Sequence, residues 1–172
     1  MILRTPRLTL RPLAAGDAEA LHGLMSDALV MAYWDIREID DLELTRMILE
    51  GQIKAAQEGE AIHWAMVRDA DSAFIGVCDL SDIDPWHKRA EIGFLSARSV
   101  WGEGYTLEAM QAVLDHAAQQ LHIKKLAART HVGNVRSVRL LQRLGFEQEG
   151  VLRGHIERDG ERRDCLLFGL LL

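Results

Sequence analysis

The chain reads as an α+β domain: a mixed, mostly antiparallel sheet of about seven strands with about four helices. Three observations predict it. Short segments alternate apolar and polar residues, as half-buried strands do. Between them, apolar residues recur at three- and four-residue spacing, as in amphipathic helices. The resulting order, β-α-α-β-β-β-α-β-α-β-β, contains a strand–helix–strand passage after the first four strands, which implies a right-handed parallel crossover.

The elements follow in order. "RLTLR" puts Leu8 and Leu10 on one strand face. "AAGDAEALHGLM" is a helix with Asp17 near its start and Leu21, Leu24 and Met25 on one side. The loop "VMAYWDIREI" carries Tyr33 and Trp34. A second helix, "DDLELTRMILEGQIKAAQEG", has Leu42, Leu49, Ile53 and Ala56 along one side and Gly59 as its stop. "AIHWAMVRD", "AFIGVCDL" and "RAEIGFLS" form an antiparallel meander, with a turn at Asp84-Pro85. "TLEAMQAVLDHAAQQL" repeats Leu107, Met110, Leu114, Ala117 and Leu121 at helical spacing. "KLAARTHV" is the next strand. "NVRSVRLLQRLGF" is a helix with Val138, Leu141 and Leu144 inward and Gly145 at its end. "FEQEGVLRG" and "RRDCLLFGLLL" close the sheet around the turn "ERDG".

Composition narrows the function classes. The 172 residues suit a single domain, 1–172, with 48% hydrophobic and 27% charged residues. A net charge of −6 argues against a nucleic-acid partner. Cys78 and Cys165 lack the spacing of a zinc site or disulfide framework, so no metal is expected. The arginines and proline of "MILRTPRLTLRPL" do not fit a signal peptide, and no apolar run is long enough to span a bilayer. A cytoplasmic protein without a membrane partner is expected.

The stretch "SVWGEGYTLEAM" places Gly102 and Gly104 at a helix start. Such a turn collects N–H groups with no intrahelical partner, which makes an anion site. Glycine lets a phosphate approach the backbone. A tight turn that binds nothing is the alternative on local sequence. No GxxxxGK[ST] run is present, and the dinucleotide fingerprint lacks its third glycine.

With these residues in view, Arg89 to Arg153 resembles the Gcn5-related N-acetyltransferase (GNAT) superfamily, in particular its ribosomal-protein N-terminal acetyltransferase branch. The superfamily signature Q/R-x-x-G-x-G/A falls on Trp101-Gly102-Glu103-Gly104-Tyr105-Thr106. Trp101 stands where Gln or Arg is usual, and Thr106 where Gly or Ala is usual. "WGEGYTLEA" is similar to a variant of that branch, "HVGNVRSVRLLQRLGF" to its N-x-x-S-x-x-L-x-x-x-L-G-F block, and "TPRLTLRPL" to its T-x-R-L-x-L-R opening. The resemblance implies the GNAT acyl-CoA N-acyltransferase fold, with the sheet splayed at its centre between Arg89–Leu95 and Leu126–Val132.

It also implies direct attack of an amine on acetyl-CoA. Gly102 to Thr106 would hold the coenzyme's pyrophosphate, with Glu103 turned away. Backbone N–H groups near Phe94 and Leu95 would polarise the thioester. Ser137 would assist the leaving thiolate, and Asn134 would cap its helix and bind the pantetheine arm. Arg139 and Arg143 are placed to reach phosphates, or are simply solvated. For the base, Glu91, His131, His63 and His155 are candidates, Glu91 and His131 foremost, with a water chain as the alternative. Tyr33 and Trp34 would line the acceptor pocket, with the Trp86-His87 loop contributing. Trp34 either stacks on the acceptor or anchors an apolar wall. Arg153, Arg158, Arg162 and Arg163 read as a solvated face of the last hairpin, and Asp164 lies near the acceptor side without a role. The acceptor is a protein N-terminus or a small amine, and a homodimer is compatible with the resemblance. A degenerate, non-catalytic acyl-CoA sensor or scaffold is the competing reading.

Overall fold

One sheet organises the molecule, and the computed structural model describes all of it, Met1 to Leu172. The strands are β1 (Leu3–Arg4), β2 (Leu8–Pro12), β3 (Ile62–Arg68), β4 (Ala73–Asp84), β5 (Arg89–Ser96), β6 (Lys125–His131), β7 (Glu147–Arg158) and β8 (Glu161–Leu171). The helices are α1 (Ala18–Met25), α2 (Leu42–Glu58), α3 (Tyr105–Gln119) and α4 (Val135–Arg143). Strand order is β1-β2-β3-β4-β5-β6-β8-β7. Every neighbouring pair is antiparallel except β5–β6, which α3 joins as the predicted crossover.

The sheet has eight strands rather than seven. The extra one, β1, is two residues long and pairs Leu3 with Leu10. Two residues are too few for an alternating pattern to show.

Two cores sandwich the sheet. On one face, Trp64, Met66, Leu80, Ile92, Leu126 and Phe168 pack with Met110, Val113, Leu114 and Ala117 of α3. On the other, Ala65, Val77 and Leu95 pack with Leu21, Leu24 and Met25 of α1 and Leu49 of α2. The middle strands are therefore apolar on both sides, which is why "AFIGVCDL" reads as nearly continuous.

Several boundaries follow side-chain chemistry. The first predicted helix opens as a 3₁₀ turn over Ala15–Asp17, and α geometry begins at Ala18. Asp17 is buried there, accepting from Ala14 N at 2.8 Å and from both Arg11 Nη atoms at 2.6 and 2.8 Å. That explains the final arginine of "RLTLR". On α2 the buried side is Thr45 and Leu49, whereas Ala56 is exposed, contrary to the sequence reading. The helix ends at Gly59 with φ +77°, as its glycine predicts. The β7–β8 turn has positive φ at both Asp159 and Gly160, the geometry that tight hairpins favour.

The central feature is a partial pairing. β5 and β6 are joined only from Arg89–Lys125 to Glu91–Ala127. β5 continues to Ser96 and β6 to His131, so the strands part beyond Glu91. This is the predicted splay, and it leaves two facing strand edges without ladder partners.

Candidate active site

The glycine turn sits at the mouth of the splay. After β5 comes a 3₁₀ turn, Arg98–Val100, then Trp101 and the glycines. Gly102 and Gly104 both adopt φ +83°, and Gly104 is the N-cap of α3. The first bond of α3 runs from Glu108 N to Gly104 O. The N–H groups of Gly102, Gly104, Tyr105, Thr106 and Leu107 have no acceptor within the chain. Their alignment with the helix dipole favours an anion.

Two stretches far apart in sequence hold this turn. Glu108 accepts from Thr5 Oγ1 at 2.6 Å, from Arg7 N at 2.9 Å and from Arg7 Nε at 2.6 Å. Arg7 Nη1 also donates to Glu103 O at 3.1 Å, and the guanidinium lies 4.2 Å from the Tyr105 ring centre. The opening "TPR" and the "EA" after the glycines are thus one bracket. Burial works against the Glu108 charge, but the bonds from Thr5 and Arg7 outweigh it and hold the carboxyl below its ordinary range. Glu108→Gln is expected to weaken coenzyme binding on the order of tenfold by loosening the turn, as read by isothermal titration. An unchanged Kd would mean the turn keeps its shape unaided.

A cleft of about 410 Å³ opens in front of these amides. Gly102, Gly104, Thr106, Trp101, Phe94 and Leu95 line it, with Asn134, Ser137, Arg139 and Arg143 opposite. Glu103 and Tyr105 do not: their side chains turn out of the cleft, leaving only their backbone near it. The cleft holds a third arginine the sequence reading did not name. Arg136 stacks on Trp101 with Cζ 3.5 Å from the ring centre, and Trp101 Nε1 donates to Ser96 O at 3.1 Å. A stacked pair of this kind stands where the signature usually has one polar side chain.

The ladder decides which amides face the gap. Ala97 N donates to Ile75 O of β4, so the alternation also turns the Leu95 N–H toward β4. Phe94 and Ser96 then direct their N–H groups into the splay. Of the two amides named from sequence, Phe94 faces the gap and Leu95 faces β4; the Ser96 amide also faces the gap.

A second cavity, about 310 Å³, meets the first across Tyr33, Trp34, Phe94, Asn134 and Ser137. Asn134 caps α4 by accepting from Ser137 N at 3.2 Å, which leaves the Ser137 hydroxyl unbonded at the junction. Glu91 lines this cavity but is ion-paired, Arg129 Nε lying 2.9 Å from Oε1. Arg129 Nη1 is also 3.0 Å from His155 Nε2. His131 is buried with Nε2 2.8 Å from Asp35 Oδ1, while its Nδ1 is enclosed without a partner. Asp35 has no periodic or motif signal and could not be named from sequence.

Other residues fall elsewhere. Trp86 is 91% exposed at the tip of the β4–β5 hairpin, and neither it nor His87 lines either of these cavities. His63, Arg153, Arg162 and Arg163 line neither cavity. Asp164 Oδ1 accepts from Gly154 N at 2.7 Å within the last hairpin. Arg158 is not part of a solvated face. It is buried, and its Nη1 donates to the carbonyls of Met31 at 2.5 Å, Trp34 at 2.9 Å and Ala32 at 3.3 Å. It anchors the loop that carries Tyr33, Trp34 and Asp35.

The arrangement offers an anion cradle, an unpaired strand edge suited to an extended amide chain, a hydroxyl at the junction and a second entrance. The chain matches the acetyltransferase (GNAT) domain family over residues 7–147. It is 32% identical to the uncharacterized N-acetyltransferase p20 of Bacillus licheniformis, over 98% of this chain and 95% of that protein. It is 27% identical to spermidine N(1)-acetyltransferase of Vibrio cholerae, over 92% and 89% of the two chains. It shares the fold of RimL, the ribosomal L7/L12 α-N-protein acetyltransferase, in complex with coenzyme A, with a TM-score of 0.91 and 24% identity over 100% of this chain and 98% of that one. The chain belongs to the GNAT acetyltransferase family, enzymes that transfer the acetyl group of acetyl-CoA to amines.

Proposed function

We propose that this enzyme acetylates the terminal amine of a peptide, and that the acceptor enters through the smaller cavity. The observation that carries this reading is the pairing of the cavity's acids: Asp35 with His131 and Glu91 with Arg129. A polyamine brings several cations and needs several free carboxylates. Here the Arg129 guanidinium repels a second ammonium. A peptide brings one cation followed by neutral amides. The unpaired β6 edge suits those amides: Val132 N bonds Asp164 O of β8, so the alternation turns the Arg129 and His131 main chains toward the splay.

Acetyl-CoA supplies the thioester. The amides of Gly104 to Thr106 hold its pyrophosphate, with Arg139 and Arg143 across the cleft. The Phe94 and Ser96 N–H groups stabilise negative charge on the carbonyl oxygen as the amine adds. Ser137 donates a hydrogen bond to the departing sulfur, and Tyr33 and Trp34 flank the incoming amine.

An acetyl-transfer screen of N-terminal peptides beside spermidine and other small amines tests the reading. Peptides are expected to exceed polyamines in kcat/KM by more than about tenfold, the scale of one unpaired buried charge contact. The reverse ranking would give the polyamine reading. Coenzyme-dependent thermal stabilisation without transfer to any amine would favour an acyl-CoA sensor. Ser137→Ala is expected to lower kcat about ten- to a hundredfold with coenzyme Kd unchanged; equal turnover would remove its role at sulfur.

A further inference from the structure

Removing the proton from the incoming ammonium is the step that the paired groups serve poorly. Glu91 is held by Arg129. His131 has one ring nitrogen on Asp35 and the other enclosed. A third acid lies beside them. Asp79 of β4 stands directly opposite Gly93 of β5, on the sheet face that carries Glu91, Arg129 and His131. Its carboxylate leans across that glycine: a Cβ added at Gly93 would lie 2.4 Å from Oδ1. Gly93 itself lines the acceptor cavity. The missing side chain leaves the carboxylate directly behind Gly93 of the cavity lining, one residue's backbone away from the cavity that Asp79 itself does not line.

We propose that Asp79 is the proton acceptor for the amine, reached through one bridging water above Gly93. The assignment rests on the acetyl-transfer reading above. The surroundings fit. Its one charged neighbour of consequence is Glu91 on β5, diagonal to it across the ladder. Arg129 on β6 is spent on Glu91. From β3, His63 is its register partner, and burial holds that imidazole below its ordinary range, so it is neutral at pH 7. From above, α1 turns apolar Leu21, Leu24 and Met25 inward, and its His22 Nδ1 is 2.9 Å from Thr45 Oγ1 of α2. Burial pushes the Asp79 carboxyl up to about 6, against a hydrogen bond from Ser81 and with a further rise from Glu91. It is thus ionised at pH 7 and basic enough to accept a proton, where a surface carboxylate would not be.

The protons balance as follows. An N–H bond of the ammonium breaks and an O–H bond forms on Asp79. The neutral amine forms the N–C bond as the C–S bond breaks. The second amine proton goes to the thiolate, giving coenzyme thiol and amide, and Asp79 returns its proton to water.

Asp79→Asn tests this through kcat as a function of pH, with coenzyme Kd and melting temperature measured alongside. Wild-type kcat is expected to fall on acidification through about pH 6 as Asp79 protonates. The variant is expected to lose about a hundredfold or more in kcat at pH 7.5 and to lose that acid limb, with coenzyme Kd unchanged. Its melting temperature is expected to hold or rise. A carboxyl raised above its unfolded value of 3.8 destabilises the fold once ionised, as pH climbs through 4 to 6, and asparagine removes that charge. A purely structural Asp79 would instead lower the melting temperature and leave the limb in place. Turnover within threefold of wild type with the limb intact overturns the assignment. Wild-type enzyme that acetylates no amine overturns the acetyl-transfer reading itself. Gly93→Ala, whose Cβ displaces the carboxylate without removing it, gives an independent reading should Asp79→Asn fail to fold. Its acid limb is expected to move, and an unmoved limb overturns the proposal.

Discussion

Replacing Gly104 with valine is expected to cost coenzyme affinity far more than folding stability. The residue sits at φ +83°, where a β-branched side chain is strained by about 1–3 kcal/mol. Space is not the issue: a Cβ there would meet only Arg7 Nη2, at 3.5 Å. For a domain of this size that strain corresponds to a drop of several degrees in melting temperature. In the proposed cradle the binding cost is larger, because the backbone itself would be the ligand-binding group. Relieving the strain rotates the peptide planes at Gly104 and Tyr105, whose N–H groups have no other acceptor. Two charge-assisted bonds at about 1.5–3 kcal/mol each put the loss in coenzyme affinity at about a hundredfold or more. Gly104→Asn is the control. Asparagine tolerates positive φ, so its affinity is expected to stay within about threefold of wild type. Equal losses in the two variants would assign the effect to side-chain bulk, and unchanged affinity in both would contradict the anion cradle.

This turn was legible because its signals are local. A pair of glycines, a helix behind them and an apolar strand before them are contiguous in sequence, and the structure puts them in that order. Asn134 as a cap and the splay between β5 and β6 were legible for the same reason, the second through the family pattern. What escaped was set by register. The choice of Phe94 and Ser96 over Leu95 depends on how β5 pairs with β4, and a shift of one residue reverses it. Asp35 reaches His131 across 96 positions. Asp79 lies against Gly93 of the cavity lining because the two are cross-strand partners, a fact of the ladder and not of either segment. Helical spacing alone would allow Ala56 to face inward. α2 instead turns Thr45 and Leu49 inward, with Thr45 satisfied by His22.

Arg158 carries the second large effect, and it is one that charge counting inverts. Four arginines around an acidic chain's last hairpin suggest a solvated face, yet this one is buried against the α1–α2 loop. Its Nη1 satisfies three carbonyls, and Glu38 and Asp159 lie 3.6 Å from the guanidinium. Arg37 adds a second tie to Asp159. Arg158→Ala removes the donor and leaves the Met31 carbonyl facing a void in the interior. Breaking a buried charged contact costs about 3–5 kcal/mol, or about 6–20 °C in melting temperature at this chain length. The functional cost is expected to be selective. In the proposed arrangement the loop carries Tyr33, Trp34 and Asp35 over the acceptor cavity; Tyr33 and Trp34 also line the coenzyme cleft, but the amides proposed to hold the coenzyme belong to the N-terminus of α3. Amine KM is therefore expected to rise about tenfold or more while coenzyme Kd moves less than about threefold. Arg158→Lys retains the charge on a compact, rotatable ammonium instead of a rigid planar fork, and its KM is expected to fall between the two. If amine KM and coenzyme Kd rise together in Arg158→Ala, the loop shapes both cavities and the selective acceptor role is overturned. If only KM rises, this buried side chain sets the shape of the pocket that selects the amine.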